Sequence, residues 1–257
     1  MIRHPYWIAY RGLVSKQVRR FMRSWIQSLL PSVVTAGLFL LIFGRVVGRE
    51  LGPMGGVDYA SFILPGLIML AVITNSYNNV TLAFFGARLQ RHIEELLVAP
   101  MPAWLIVAGF TTGGVLRGLL AGLAVTGLAV PVAGLPVANP LLTLVIAFLT
   151  ALLFSFAGLI NGLFARRFED TSVVATFALT PLIYLGGVFY TLDRLPVPWD
   201  TVAAFNPLHF IVAGFRDGFL GIGSANAAMT LAALALGAAT TGASAWALVA
   251  RGIRLRA

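Results

Sequence analysis

Long runs of apolar residues, separated by short polar connections, dominate the pattern along this chain. A helix needs about 20 apolar residues to cross a hydrocarbon core of roughly 30 Å. Six stretches reach that length, and none alternates polar and apolar positions as the strands of a membrane barrel do. They predict six membrane-spanning helices at about 25–47, 60–85, 103–132, 140–164, 172–192 and 226–250. We therefore expect an all-α integral membrane protein with a single transmembrane domain, 1–257.

A different pattern precedes the first stretch. In residues 5–24 apolar side chains recur every three or four positions, while Lys16, Arg19, Arg20 and Arg23 take the opposite face. This spacing predicts an amphipathic helix, within residues 1–24, that lies in the membrane interface. The helix could anchor the chain to the surface or act as a lever between a cytoplasmic partner and the first span.

The connection after the second stretch contains a shorter amphipathic segment at 88–99. Its apolar side chains fall on one helical face and its charged side chains on the other, and Pro100 and Pro102 end it. The two faces comprise Leu89, Ile93, Leu96 and Leu97, against Arg88, Arg91 and Glu95. Taken alone, such a segment is more typical of a helix resting on lipid than of a docking element.

Residues 197–220 lie between the fifth and sixth stretches and are too polar to form a span. Pro198 and Pro207 also interrupt any long helix there. Irregular backbone at membrane depth is tolerated only where protein or a water-filled cavity covers it. We expect a re-entrant hairpin of short helices that closes the outer end of the molecule.

The composition of the chain indicates that most of it lies in lipid, and the placement of its charges predicts how it is oriented across the membrane. The 257 residues are 59% hydrophobic and 11% charged, with a net charge of +9. The basic residues lie between apolar stretches rather than along one surface, so nucleic acid binding is not indicated. Thirteen Lys and Arg residues fall on one side of the predicted spans and four on the other. Because cytoplasmic connections retain Lys and Arg, both termini should be cytoplasmic and the first apolar run a retained signal anchor.

Catalytic and metal-binding patterns are missing from the sequence. There is no cysteine, and the three histidines are too scattered to suggest a metal site. A phosphate-binding loop requires a lysine, and Lys16, the only lysine, lies in SKQVRR. We expect no catalytic residue and no cofactor in this chain, and any ATP hydrolysis must be done by another subunit.

A polar island interrupts the second stretch at 74–81. It contains Asn75, Tyr77, Asn78 and Asn79, and such amides are costly to leave unpaired in hydrocarbon. They could form hydrogen bonds between helices or line a cavity near the cytoplasmic side.

Arg117 lies within the third stretch, where a charge must face protein or water. It could pair with a carboxylate such as Asp217 or with carbonyls at a helix end. Alternatively, it could contact an anionic group of a substrate. We favour the structural role.

Four segments carry a family resemblance: PGLIMLAVITNSY at 65–77, QRHIEELLVAPMP at 90–102, TPLIYLGGVFYTLDRLP at 180–196 and NPLHFIVAGFRDGFLG at 206–221. They resemble the ABC-2 type permeases, and among these the YadH-like branch. The resemblance covers essentially the whole chain in order. Its most specific pieces are Glu-Leu-Leu-x-x-Pro and Asn-Pro-Leu.

The resemblance implies an exporter permease of the bacterial inner membrane that dimerises with a second copy of itself. It would bind two copies of a separate nucleotide-binding ATPase subunit, which would hold ATP and magnesium, and it would export an amphiphilic substrate. Residues 5–24 resemble the family's connector helix and 197–220, with Asn206, Pro207, Arg216 and Asp217, its external hairpin. Residues 88–99 resemble the coupling helix, with Arg88, Arg91, Glu94 and Glu95 contacting the ATPase.

An ion-coupled transporter or a channel is the alternative function. Such a protein would use carboxylates inside its spans as proton or sodium sites. All nine acidic residues lie in connections or at or near the ends of the predicted spans, which disfavours this alternative, although Asp217 could still titrate.

Overall fold

The structure is a computed structural model, and it describes residues 5–23, 25–98, 101–133, 137–222 and 226–255. Within these ranges the chain folds into ten α-helices, two of them with π-helical parts, and one 3-10 turn at Leu192–Arg194, and it contains no β-sheet. The N-terminal residues 1–4, residue 24 of the predicted amphipathic helix, and residue 99 with Pro100 lie outside the described residues.

Five helices are long and apolar enough to cross a membrane. They are α2 (Trp25–Phe39, continuing as the π-helical Leu40–Val47 and the turn Gly48–Leu51), α3 (Tyr59–Leu89), α5 (Ala103–Ala133), α6 (Pro140–Phe164) and α10 (Ala227–Ala250). The shorter helices are α1 (Pro5–Arg23), α4 (His92–Val98), α7 (Asp170–Leu185, with a π-helical part Ala175–Leu179), α8 (Trp199–Ala204) and α9 (Pro207–Leu220).

Helix α3 is the centre of the bundle. In its most apolar stretch 83% of the residues are buried, whereas in α10 the share is 22%. The helix begins where the Asp58 side chain accepts a hydrogen bond from the Ala60 amide (3.2 Å). It is apolar on nearly all sides, which is what a helix surrounded by other helices requires.

Glycines let α5 and α6 approach α3 closely. A Cβ at Gly118 of α5 would overlap the Ser76 hydroxyl and lie 3.0 Å from the Val72 carbonyl oxygen. A Cβ at Gly162 of α6 would lie 2.7 Å from the Thr81 carbonyl oxygen. The face of α5 that carries Gly118 therefore packs within one chain, as small residues do between membrane helices.

The amphipathic helix α1 packs against α5 through one face. Leu13 and Phe21 are buried, and a Cβ at Gly113 would lie 2.7 Å from the Cβ of Gln17. Trp7, which the periodicity assigns to the same apolar face, is 57% exposed. The buried face is thus rotated from the one that hydrophobicity predicts, because packing on glycines admits Gln17 and excludes Trp7.

Helix α7 ends earlier than the predicted fifth stretch, 172–192. Its last residue is Leu185, and Gly186 and Gly187 follow. Gly187 has φ +78°, a left-handed conformation that ends an α-helix and favours glycine. At the helical rise of 1.5 Å per residue α7 is about 24 Å long. It falls short of the roughly 30 Å hydrocarbon core.

Helices α8 and α9 occupy residues 197–220 and meet at Asn206. The Asn206 side-chain oxygen accepts a hydrogen bond from the Leu208 amide (3.0 Å) and Pro207 takes the first helical position. Its side-chain amide donates to the Leu182 carbonyl (2.6 Å), which ties the hairpin to α7.

Candidate functional site

Asn79 of α3 joins three helices in the half of the bundle nearer α4. Arg20 of α1 donates to its backbone carbonyl (3.2 Å) and to its side-chain oxygen (2.9 Å). Arg117 of α5 donates to the same side-chain oxygen (3.3 Å). The amide of Asn79 is 2% exposed, so two guanidinium groups converge on one buried neutral acceptor. We call Arg20, Asn79 and Arg117 the two-arginine cluster.

This arrangement leaves the cluster electrostatically unbalanced. Withdrawal of the Arg20 guanidinium from water, and secondarily the charge of Arg117, lower the pKa of Arg20 to about 10, although the residue keeps an exposed surface. Among the described residues the Asn79 side-chain nitrogen and the Arg117 Nε have no hydrogen-bond partner. The cluster therefore has more hydrogen-bond donors than acceptors.

The rest of the polar island faces in several directions. Asn75 donates to Ser32 of α2 (2.9 Å) and to the Ala71 carbonyl (2.9 Å). Tyr77 is buried with its hydroxyl unpartnered among the described residues, and Asn78 is half-buried. Hydrogen bonding between helices, one of the two predicted roles, thus accounts for Asn75 and Asn79.

Arg117 contacts the side-chain amide of Asn79 rather than a carboxylate. The predicted partner Asp217 lies on α9, beside the other end of the bundle, where the Asn139 amide donates to the Gly218 carbonyl (2.8 Å). Asp217 is buried there.

A cleft of about 280 Å³ opens between α2, α3 and α7. Hydroxyl groups line one part of it, contributed by Ser32, Thr35, Thr74 and Thr180. Apolar residues elsewhere on α2 and α7, such as Leu38 and Phe177, are 54% and 77% exposed. The cleft thus carries several hydroxyl groups between otherwise apolar walls.

The predicted coupling segment divides into two elements. Arg88 belongs to the last turn of α3, and its guanidinium donates to the carbonyls of Gly162 (3.1 Å), Leu163 and Ala165 (3.0 Å) at the end of α6. Arg91 has φ +59°, outside the helical region, and breaks the chain between α3 and α4. The predicted continuous helix 88–99 is therefore wrong in its first turn, and Leu89 is 68% exposed rather than on the buried face.

Helix α4 is held to the bundle by its apolar side. Ile93 is 1% exposed within a core cluster formed with α3, α5 and α6, and Leu96 packs against that cluster. Glu94 is half-buried and Glu95 is exposed. The two carboxylates therefore lie on a short helix whose apolar side is buried against the spans.

Arg216 connects the hairpin at 197–220 to the bundle. Its Nε donates to the Phe62 carbonyl (3.2 Å) and its NH2 group to the Gly187 carbonyl (2.6 Å). Its guanidinium carbon lies 3.8 Å from the centre of the Phe62 ring. Of the other three hairpin residues singled out from the sequence, Asn206 contacts α7, Pro207 takes the first position of α9, and Asp217 is buried.

Sequence reasoning did not single out Arg20, Ser32 or Thr180. Arg20 carries no signal that separates it from Arg19, because helical periodicity places both on the polar face of α1. Ser32 and Thr180 are lone hydroxyl residues in apolar runs, and only their shared cleft distinguishes them.

An all-helical bundle with several spans, an amphipathic N-terminal helix and no catalytic constellation in the described residues has the form of a membrane transport permease. A family model of the ABC-2 type transporters matches residues 9–220. The chain belongs to the ABC-2 type transporter family.

Among curated proteins, the chain is 47% identical to the inner membrane transport permease YadH of Escherichia coli K12 over 98% of this chain and 99% of that protein. It is 27% identical to nodulation protein J of Rhizobium leguminosarum bv. viciae, over 85% of this chain and 86% of that protein. These similarities and the five apolar helices fit a multi-pass inner membrane transport permease.

Proposed function

We propose that this chain is the membrane subunit of an ATP-driven exporter, in which two copies form the translocation pathway and two copies of a separate ATPase subunit supply the energy. ATP and magnesium would be bound by that partner, with no cofactor in this chain. Family membership supports the coupling to an ATPase. The substrate is an amphiphile, and drugs, lipids and glycans all remain within that class.

In the assembled exporter, α7 and the residues after Leu185 form one more crossing, the fifth in chain order. This brings the number of crossings to six. Two observations support this. First, only an even number of crossings places the basic residues at 1–24 and after 250 on the same side as those at 88–91 and 166–167. Second, Arg166 and Arg167 precede α7, whereas Arg194 follows it. Both termini are then cytoplasmic and the hairpin is extracytoplasmic.

The cleft between α2, α3 and α7 is the wall of the pathway. Its hydroxyl groups come from three different helices, and two of these helices, α2 and α7, also carry exposed apolar residues. Two chains meeting through these residues would enclose the two clefts in a shared path. A C2 dimer is the commonest arrangement for identical subunits.

The position of α4 is the observation that carries the proposal. Ile93 anchors the helix in the core, Glu94 and Glu95 are available to a partner, and α4 connects directly to α3 and α5. Arg88 holds the adjoining end of α3 to α6. A displacement of α4 by an ATPase therefore reaches three spans.

Removal of the two carboxylates of α4 tests this function. In the Glu94→Ala, Glu95→Ala double variant, the chain should insert and fold normally, because exposed helix charges contribute about 0.5 kcal/mol or less. Stimulation of the ATPase and export should both fall in vesicles containing the co-purified complex. Glu50→Ala, in the turn that follows α2, is the control. It should leave both ATPase stimulation and export unchanged.

Normal export by the double variant at normal expression would contradict the coupling role of α4. The contact with the ATPase would then lie elsewhere, with α1 as the next candidate. A permease that transports in nanodiscs as a monomer without an ATPase would contradict the exporter assignment as a whole.

A further inference from the structure

A second cleft, of about 260 Å³, lies between α1, the inner end of α3, and α4. Cationic and polar side chains line it from two sides: Lys16 and Arg20 from α1, and Gln90 and His92 from the α3–α4 junction. Leu13 and Phe110 contribute an apolar floor. None of the described residues that line this cleft is acidic.

The donors in this cleft are arranged for an anion. Lys16 and Arg20 stand four residues apart on α1, so both project from one face of the helix. The Nδ1 of His92 faces the Gln90 carbonyl (3.1 Å), which fixes the ring at the cleft. Arg20 also belongs to the two-arginine cluster, in which Arg20 and Arg117 share the side-chain oxygen of Asn79. A second cation near Arg20, without a carboxylate to balance it, increases the attraction of this cleft for negative charge.

The depth of the cleft identifies the source of the anion. Its wall on α3 runs from Leu82 to Ala87, about half a turn to two turns before the helix ends at Leu89. At about 1.5 Å per residue this places the cleft within roughly 10 Å of the inner end of a membrane-spanning helix, the level of lipid headgroups. Leu82 is 42% exposed and offers an apolar exit for an acyl chain. A segment of a cytoplasmic protein would have to enter the membrane interface to reach the same place.

We propose that this cleft binds the phosphate headgroup of an anionic phospholipid from the cytoplasmic leaflet. Lys16 and Arg20 hold the phosphate oxygens, Gln90 and His92 complete the rim, and one acyl chain leaves along Leu82. The bound lipid bridges α1 to the α3–α4 junction. The inference rests on the orientation given under the proposed function, since the cleft must face the cytoplasmic leaflet.

The test compares two charge reversals on α1. Lys16→Glu changes a residue that lines the cleft, and Arg19→Glu makes the same change in net charge at an exposed residue of α1 that does not. Full-length permease is reconstituted in nanodiscs of phosphatidylcholine containing a minor fraction of phosphatidylglycerol. Retained lipid is then counted by native mass spectrometry after transfer to detergent.

We expect the unaltered chain to retain phosphatidylglycerol in preference to phosphatidylcholine. Lys16→Glu should reduce that retention about tenfold, the usual effect of losing a charge-assisted hydrogen bond. Arg19→Glu should not. Lys16→Gln, which removes the charge but keeps a polar side chain, provides a milder variant if the charge reversal prevents folding, and it should also lower retention.

Three results would overturn the proposal. Equal losses in Lys16→Glu and Arg19→Glu would assign the effect to the general charge of α1. Displacement of phosphatidylglycerol by an equal concentration of inorganic phosphate would make the ligand a free ion rather than a lipid. Unchanged lipid retention with loss of the co-purifying ATPase in Lys16→Glu would assign the cleft to a segment of the ATPase. The lipid measurement needs no ATP, so its failure is distinguishable from failure of the proposed function.

Discussion

The guanidinium carbon of Arg216 lies 3.8 Å from the centre of the Phe62 ring, and the guanidinium also donates to the backbone carbonyl of that residue. One side chain thus joins the hairpin to the first turns of the central helix. The third contact, to the Gly187 carbonyl, includes the end of α7. Three elements far apart in the sequence meet at a single buried cation.

Arg216→Lys should therefore destabilise the protein despite keeping the charge. A lysine ammonium cannot reproduce the planar contact with Phe62 together with both carbonyl bonds. We expect a loss of about 2–3 kcal/mol, measured by thermal unfolding in detergent. Arg194→Lys, at an exposed arginine of the same outer region, should have no measurable effect. Equal stability of the two variants would mean that the hairpin is held by other contacts.

Two substitutions at Asn79 should affect the stability of the protein differently. Asn79→Ala removes the oxygen shared by Arg20 and Arg117 and should lower stability by about 1.5–3 kcal/mol. Asn79→Asp places a carboxylate between the same two cations and should be at least as stable as the unaltered chain at neutral pH. Asn78→Ala, at the half-buried neighbour, is the control. Thermal unfolding of the variants, expressed side by side, distinguishes these outcomes.

The close packing of α5 on α3 predicts a difference between two glycines of one helix. Gly118→Ala should destabilise by about 1–3 kcal/mol, because the added methyl group meets the Ser76 hydroxyl and the Val72 carbonyl. Gly127→Ala adds the same group where nothing lies within 4 Å. It should be neutral or slightly stabilising, since alanine favours the helix. Similar effects of the two substitutions on the midpoint of thermal unfolding would contradict the packing described.

Substitutions of Arg88 and Arg91 should have different effects on stability, although the two residues are only three positions apart. Arg88→Gln removes donors from three carbonyls at the end of α6 and should destabilise the chain by about 1–3 kcal/mol. Arg91→Gly relieves a left-handed residue and should be neutral or stabilising by up to about 1 kcal/mol. Chemical or thermal unfolding of the two variants measures both effects. A destabilised Arg91→Gly would indicate that its side chain has a structural contact of its own.

Orientation is open to a direct measurement because the chain has no cysteine. A single cysteine at Asp200 should react with a membrane-impermeant reagent added to intact cells, whereas one at Arg167 should react only after lysis. The reason is the unequal number of basic residues on the two sides of the spans. The reverse labelling pattern would invert the orientation and remove the basis for the cytoplasmic cleft.

The sequence carries the helical architecture and the family, but not the directions in which polar side chains point. The length of the apolar stretches alone indicates spans. The pair Asn139 and Pro140 is typical of a helix start, and α6 begins there with the Asn139 side chain accepting a hydrogen bond from the Leu142 amide (3.1 Å). Periodicity could not separate Arg20 from Arg19, because the partner that selects Arg20 lies 59 positions away at Asn79. It also could not detect the break at Arg91, since a left-handed conformation is rare for arginine.

The close contacts that glycines allow between α3, α5 and α6 limit how these helices can move relative to one another. A slide of α3 by one helical turn, about 5.4 Å, would bring side chains against backbone at Gly118 and Gly162. This close packing disfavours sliding of the three helices past one another, and α4 joins two of them along the chain. If α4 receives the proposed contact with an ATPase, we expect α3, α5 and α6 to move together against α2 and α7.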